Sequence, residues 1–164
     1  MTRRPQAPGL PPQASSDASA PHLLGPDIQG LRPAAARTTR LRVRYAETDR
    51  MGVVYYANYL VWFEVGRTEW LRQTGWTYRE MECDGISLPV IEAHCEYRQP
   101  ARYDDEIEIA TRGTLVTPVR IRFDYEVARG AEGTIAAIGH TLHAAVDTSG
   151  KPCRLPAGVR EMLV

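Results

Sequence analysis

Asp49, Gly52 and the run Tyr55-Tyr56-Ala57-Asn58-Tyr59 bring a carboxylate, a turn-forming glycine and the expected start of a helix into one short segment. A carboxylate can take a proton or attack a carbonyl carbon. The unpaired N–H groups at a helix N-terminus carry partial positive charge and can hold a developing oxyanion. Together they outline a small active site. The same residues also suit a plain capped turn, because Asp and Gly are ordinary turn formers.

Two rigid elements must flank such a segment. Upstream, Leu41, Val43 and Tyr45 share one face of a strand expected over residues 39–45. Downstream, a helix is expected over 58–75, with Asn58 as its N-cap and Gly75 as a left-handed stop. Tyr59, Leu60, Trp62, Phe63, Val65, Trp70 and Leu71 exceed a single stripe, so this helix should be buried on most sides. Thr77 and Glu80 have capping-box spacing for a second, shorter helix that Gly85 should end.

After that the period changes to two. Ile91, Ala93, Cys95 and Tyr97 alternate with Glu92, His94 and Glu96, and Ile107 and Ile109 alternate with Glu106 and Glu108. Ile121, Phe123, Tyr125 and Val127 alternate with charged residues, and a last strand spans about 135–146 before the turn Asp147-Thr148-Ser149-Gly150. The order implies an α+β domain: an antiparallel sheet of about five strands with the long helix segregated to one face and wrapped by the sheet.

The chain of 164 residues is long enough for one domain with a real core. Residues 1–38 are rich in Pro and Ala and read as a disordered tail, which leaves 39–164 as the folded domain. The 20 basic and 20 acidic residues balance, so the charge gives no support for a nucleic-acid partner. Cys83, Cys95 and Cys153 are odd in number and widely spaced, which argues against a disulfide framework or a zinc site and for a reducing, cytoplasmic setting. No continuous apolar run suits a signal peptide or a membrane span.

The order of elements resembles the hotdog-fold acyl-CoA thioesterases, specifically the 4-hydroxybenzoyl-CoA thioesterase family and its Tol-Pal-associated relatives. The likeness rests on Tyr45-x-x-Thr48-Asp49-x-x-Gly52-Val53-Val54-Tyr55-Tyr56-x-Asn58-Tyr59, then Phe63-Glu64, Arg67-Thr68-Glu69, Pro100 to Asp105, and Gly139-x-Thr141-x-His143. It implies that Asp49 is the catalytic carboxylate and that the backbone N–H of Tyr56 polarises the thioester carbonyl. By the same implication Gly52, Val54, Tyr55, Asn58 and Tyr59 bind substrate. The protein would hydrolyse an acyl-CoA thioester without metal or cofactor, as a homodimer or homotetramer with sites between subunits. Many relatives carry His at the position of Tyr56, so an imidazole role is not expected here.

Coenzyme A carries phosphates, and Arg98, Arg102 and Arg120, near strand ends, are natural clamps for them, with Arg120 assigned to substrate binding. Tyr55, Tyr56, Tyr59 and Trp62 could line an acyl pocket or simply serve as core. Glu64 is a competing acid, with Arg67 at i+3 to pair with it. His140 and His143 should face opposite sides of their strand, which excludes a shared metal, and His94 falls on a polar face. No Gly-x-Ser-x-Gly elbow is present, so a serine hydrolase is excluded. A non-catalytic acyl-CoA-binding protein of the same fold is the alternative, and a hotdog dehydratase is disfavoured because no His lies between Leu41 and Ala93.

Overall fold

The computed structural model describes residues 35–163. Five strands, β1 (Arg37–Arg42), β2 (Val90–Tyr97), β3 (Glu106–Thr117), β4 (Arg120–Arg129) and β5 (Thr134–Ala144), form one antiparallel sheet in the order β1-β3-β4-β5-β2. Helix α1 (Asn58–Gln73) lies on one face, α2 (Tyr78–Cys83) follows it, and α3 (Ala157–Met162) comes last.

The period-two runs sort residues as their chemistry demands. Ile107, Ile109, Ile121, Phe123, Tyr125 and Val127 point to the helix and are buried, whereas Glu106, Arg112 and Glu126 face outward. From α1, Trp62, Phe63, Trp70 and Leu71 meet them, each with at most 1% of its surface exposed. Burial of a side chain of this size contributes about 2–3 kcal/mol. Phe63 stacks on Tyr125 with centroids 4.3 Å apart, and Trp70 meets Phe123 edge-on at 5.6 Å.

Two glycines set how closely helix and sheet approach. A Cβ on Gly66 would lie 2.6 Å from Thr111 Oγ1 and 2.9 Å from Ile109 Cγ2, and one on Gly113 would lie 2.8 Å from the Trp70 ring. Real side-chain atoms do not approach so closely, so these positions exclude any larger residue unless the layers separate.

Several local expectations hold. Thr77 caps α2 in a capping box with Glu80, Gly85 follows that helix with φ +76°, and Gly75 ends the α1 region with φ +90°. Asp147 closes its turn by accepting from the N–H groups of Ser149 and Lys151 at 2.8 and 3.0 Å.

Others are corrected. The first strand runs two residues earlier than residue 39 and stops at Arg42, because Tyr45–Glu47 turns as a 3-10 helix instead of continuing the extended chain. Most of the anticipated tail, residues 1–34, lies outside the described residues. Asn58 is the first helical residue and not the cap; Ala57 holds the cap position with no side-chain hydrogen bond. Helix α1 is not buried on most sides either, since Leu60 and Val61 are 41% and 46% exposed. In β2 the expected inward face is open: Ile91 and Tyr97 are each 48% exposed, because β2 is the last strand of the sheet and the strand bulges between Val90 and Glu92. Helix α3, which buries Val159 beside Leu163, was not anticipated.

Candidate active site

The segment between β1 and α1 is folded onto a single residue, Glu47. The backbone leaves β1 through Val43, whose N–H donates to Asp105 O at 3.0 Å, and tightens into the 3-10 turn as Glu47 N–H donates to Arg44 O. Beyond it a narrow loop closes. Asp49 N–H donates to Val53 O at 2.9 Å, Gly52 N–H donates to Asp49 O at 2.9 Å, and Thr48 and Val54 form a bridge pair. Gly52 has φ +73°, a conformation the sequence supplies with a residue that lacks Cβ.

The two carboxylate oxygens of Asp49 differ in their partners. Its Oδ1 accepts from Met51 N–H at 2.8 Å, which is the turn-capping role. Its Oδ2 accepts from no donor among the described residues, and the residue is partly exposed. One carboxylate oxygen is thus fixed while the other is free to meet a proton or a carbon.

The loop then returns to its starting point. Val54 N–H donates to Ala101 O at 2.8 Å, and Tyr55 N–H donates to Glu47 O at 2.9 Å. The carbonyl of Tyr55 accepts from Asn58 N–H at 2.9 Å. In a trans peptide the next N–H points the opposite way, so Tyr56 N–H faces away from the helix; it has no acceptor among the described residues. The carbonyl of Tyr56 in turn accepts from Tyr97 Oη at 3.1 Å, which ties the helix start to β2.

The remaining expected binding residues divide. Tyr55 and Tyr56 are 45% and 60% exposed, with ring centroids 4.4 Å apart, and stand where a ligand could reach them. Val54 and Tyr59 lie in the core: they are 5% and 3% exposed, and Tyr59 Oη accepts from Ala101 N–H at 3.3 Å. Burial raises the Tyr59 phenol above its usual pKa, with the Ala101 hydrogen bond opposing. Trp62, also buried, is core for the same reason. Asn58 is engaged internally, its Nδ2 donating to Glu47 O at 2.8 Å.

Arg120 lies at the other end of its strand from the loop. It opens β4 opposite Ala144, whereas Arg129 at the other end of that strand reaches Asp105 at 3.7 Å beside the loop. The two arginines stand nine residue steps apart along the strand, about 30 Å. Within one chain Arg120 stands remote from Asp49. Arg98 pairs with Glu96 at 2.9 Å, so Arg102 is the arginine of the three beside the loop, its Nη1 donating to Gly52 O at 3.4 Å.

Glu64 is exposed and does not take Arg67 as a partner; Arg67 Nε donates to Tyr78 Oη at 2.9 Å. Glu69 pairs with Arg72. His140 and His143 do face opposite sides: His140 meets Glu92 at 2.8 Å and stacks on His94, while His143 is fully buried.

Glu47 carries the part of the site that the sequence reading did not assign. Its side chain is 7% exposed; Oε1 accepts from Trp62 Nε1 at 3.2 Å and Arg44 Nη2 at 3.0 Å, and Oε2 accepts from Arg44 N–H at 2.7 Å. Burial alone would raise its pKa, but the hydrogen bonds from Arg44 and Trp62 outweigh it and hold the carboxyl below its usual range. Its i+3 spacing from Arg44, the spacing of a capping box, is the signal in the sequence that points to it. A shallow cleft lined by Gly75, Trp76, Arg79, Glu80, Cys83 and Asp84 lies past the far end of α1 and contributes nothing here.

Comparison with known proteins extends this geometry. Residues 43–163 match a family model described as the Thioesterase-like superfamily. The Escherichia coli acyl-CoA thioester hydrolase YbgC is 33% identical over 120 residues, covering 73% of this chain and 89% of that protein. YneP of Bacillus subtilis is 46% identical over 71 residues, which is 43% of this chain and about half, 51%, of YneP. A crystal structure of DHNA-CoA thioesterase from Staphylococcus aureus superposes with a TM-score of 0.70 at 33% identity, covering 73% of this chain and 80% of that one.

Proposed function

The chain belongs to the Thioesterase-like superfamily, and from that premise we propose that it hydrolyses acyl-CoA thioesters to free acid and CoA. Asp49 serves as general base or nucleophile, and Tyr56 N–H is the oxyanion donor. The observation that carries this reading is the Tyr56 N–H, aimed outward at the helix start with no acceptor among the described residues, beside a loop whose Asp49 keeps one carboxylate oxygen free.

The chemistry asks for little more. A thiolate of pKa about 8.5 leaves readily, so a base or nucleophile and an oxyanion site are the main requirements. In the general-base version, which we favour, Asp49 takes a proton from water as that water attacks the carbonyl carbon. The carbonyl oxygen becomes negative against Tyr56 N–H, and collapse expels CoA thiolate. Single-turnover hydrolysis in labelled water distinguishes this from a mixed anhydride, because label entering Asp49 first requires direct attack.

Within the superfamily we assign the chain to the 4-hydroxybenzoyl-CoA branch and its Tol-Pal-associated relatives, with α1 as the central helix that the sheet wraps. The motif from Tyr45 to Tyr59, including tyrosine at position 56, supports this. The segment from β1 onward is the catalytic domain, and the free cysteines support a cytoplasmic setting. A homodimer or homotetramer accounts for the apolar groups that one chain leaves open, Leu60, Val61, Ile91 and Tyr97.

The test is a panel of aliphatic, hydroxybenzoyl and dihydroxynaphthoyl thioesters with a thiol reagent. The parent should release CoA from at least one, and Asp49→Asn should lower kcat by about 100-fold or more. Binding without release from any member would favour the non-catalytic acyl-CoA-binding alternative.

A further inference from the structure

We propose that Glu47 is a positioning residue, one that holds Asp49 and the Tyr56 N–H in their working arrangement; this rests on the thioesterase reading above. The contacts of this one residue reach both ends of the loop. The side chain closes the 3-10 turn through Arg44 N–H and docks that turn on α1 through the Trp62 indole. The main-chain carbonyl takes Tyr55 N–H at 2.9 Å and Asn58 Nδ2 at 2.8 Å. Asp49 lies just after Glu47, and Tyr56 lies just after the returning Tyr55. Both ends of the loop that carries the reacting groups are therefore pinned to the same residue, and that residue is anchored to the second turn of the helix.

The carboxylate is required as such. Three donors, Arg44 N–H, Arg44 Nη2 and Trp62 Nε1, converge on its two oxygens. A glutamine presents only one acceptor oxygen, and its amide hydrogens would oppose at least one of those donors. The isosteric change keeps volume but loosens the turn. Glu47 itself touches no reacting atom, because its oxygens are buried among these partners.

The effect should then fall on turnover more than on binding. A displacement of about 1 Å between reacting groups costs on the order of 100-fold in rate, whereas the Glu47 side chain, only 7% exposed, offers a ligand almost no surface to bind. The experiment uses the full chain with 4-hydroxybenzoyl-CoA and butyryl-CoA as probes. In Glu47→Gln, kcat should fall by about 100-fold with KM within about twofold of the parent. Adding Glu47→Gln to Asp49→Asn should cost clearly less than the product of the two single losses, since the part of the Glu47 effect that passes through Asp49 is already gone and only the part through Tyr56 N–H remains. The Trp62 indole N–H resonance should move in Glu47→Gln while those of Trp70 and Trp76 stay in place.

An active parent whose kcat is unchanged by Glu47→Gln, or a double variant whose losses multiply, overturns the proposal alone. A shift of all three indole resonances does so too, because it reports a general loosening. Should Glu47→Gln fail to fold, Asn58→Ala decides the matter: it cuts the returning end of the loop from the same anchor and should lower kcat by about tenfold, and an unchanged kcat refutes the idea. A parent that releases no CoA from either probe or the wider panel overturns the thioesterase reading, and this proposal with it.

Discussion

Acidification should destabilise this protein through one buried imidazole. His143 Nδ1 lies 3.0 Å from Leu88 O, a carbonyl that can only accept, so Nδ1 carries the proton. Nε2 is then an acceptor for the Thr141 hydroxyl at 2.9 Å, and Thr141 Oγ1 in turn receives Tyr125 Oη–H at 2.7 Å. A second proton on the ring has no acceptor without reversing this chain. Burial, with a smaller push from the Arg67 charge, depresses the His143 pKa from 6.5 to about 4, against the opposing Leu88 hydrogen bond. The unfolded chain takes up a proton as pH falls below 6.5, and the folded chain refuses it until about 4. Stability from this group is thus complete above pH 6.5 and declines as pH falls toward 4. With about 1.4 kcal/mol per unit, the loss between pH 7 and pH 4.5 is about 2.5 kcal/mol. Urea unfolding at several pH values in that window measures it, with His143→Gln as the variant whose slope should flatten. A parent curve level across the window, or a variant with the parent's slope, would refute the reasoning.

Gly66→Ala should destabilise the fold by about 1–3 kcal/mol in the same urea assay, because its methyl group would press on Thr111 and Ile109. Tyr56→Phe should hydrolyse thioesters at close to the parent kcat, since the proposed contribution of that residue is its backbone N–H and its hydroxyl is not needed; a rate at a small fraction of the parent's would assign the phenol a role.

The strands and the long helix α1 could be read from the sequence because each repeats one physical preference over many residues, as in Ile121, Phe123, Tyr125 and Val127, whereas the six-residue α3 offers too short a pattern. The caps at Thr77 and Gly75 were legible because their signals are local. The site was legible only in outline. Tyr59 and Val54 share a motif with Asp49, yet sequence proximity does not tell which way a side chain turns, and Ala101, far along the chain, draws both into the core. Arg120 illustrates the same limit: its distance from Asp49 depends on strand register, which only the paired sheet defines. Glu47 stayed hidden because its partner Trp62 lies on the next element and its backbone role leaves no trace in residue type.

The close seating of α1 on the sheet has a mutational consequence. Trp70 over Gly113, and Gly66 against Ile109 and Thr111, act like wards in a lock, so the rod can neither slide nor roll. Its far flank, carrying Leu60 and Val61, is released from that duty. Substitutions on that flank therefore leave the rod's alignment on the sheet intact, whereas those on the seated side displace it.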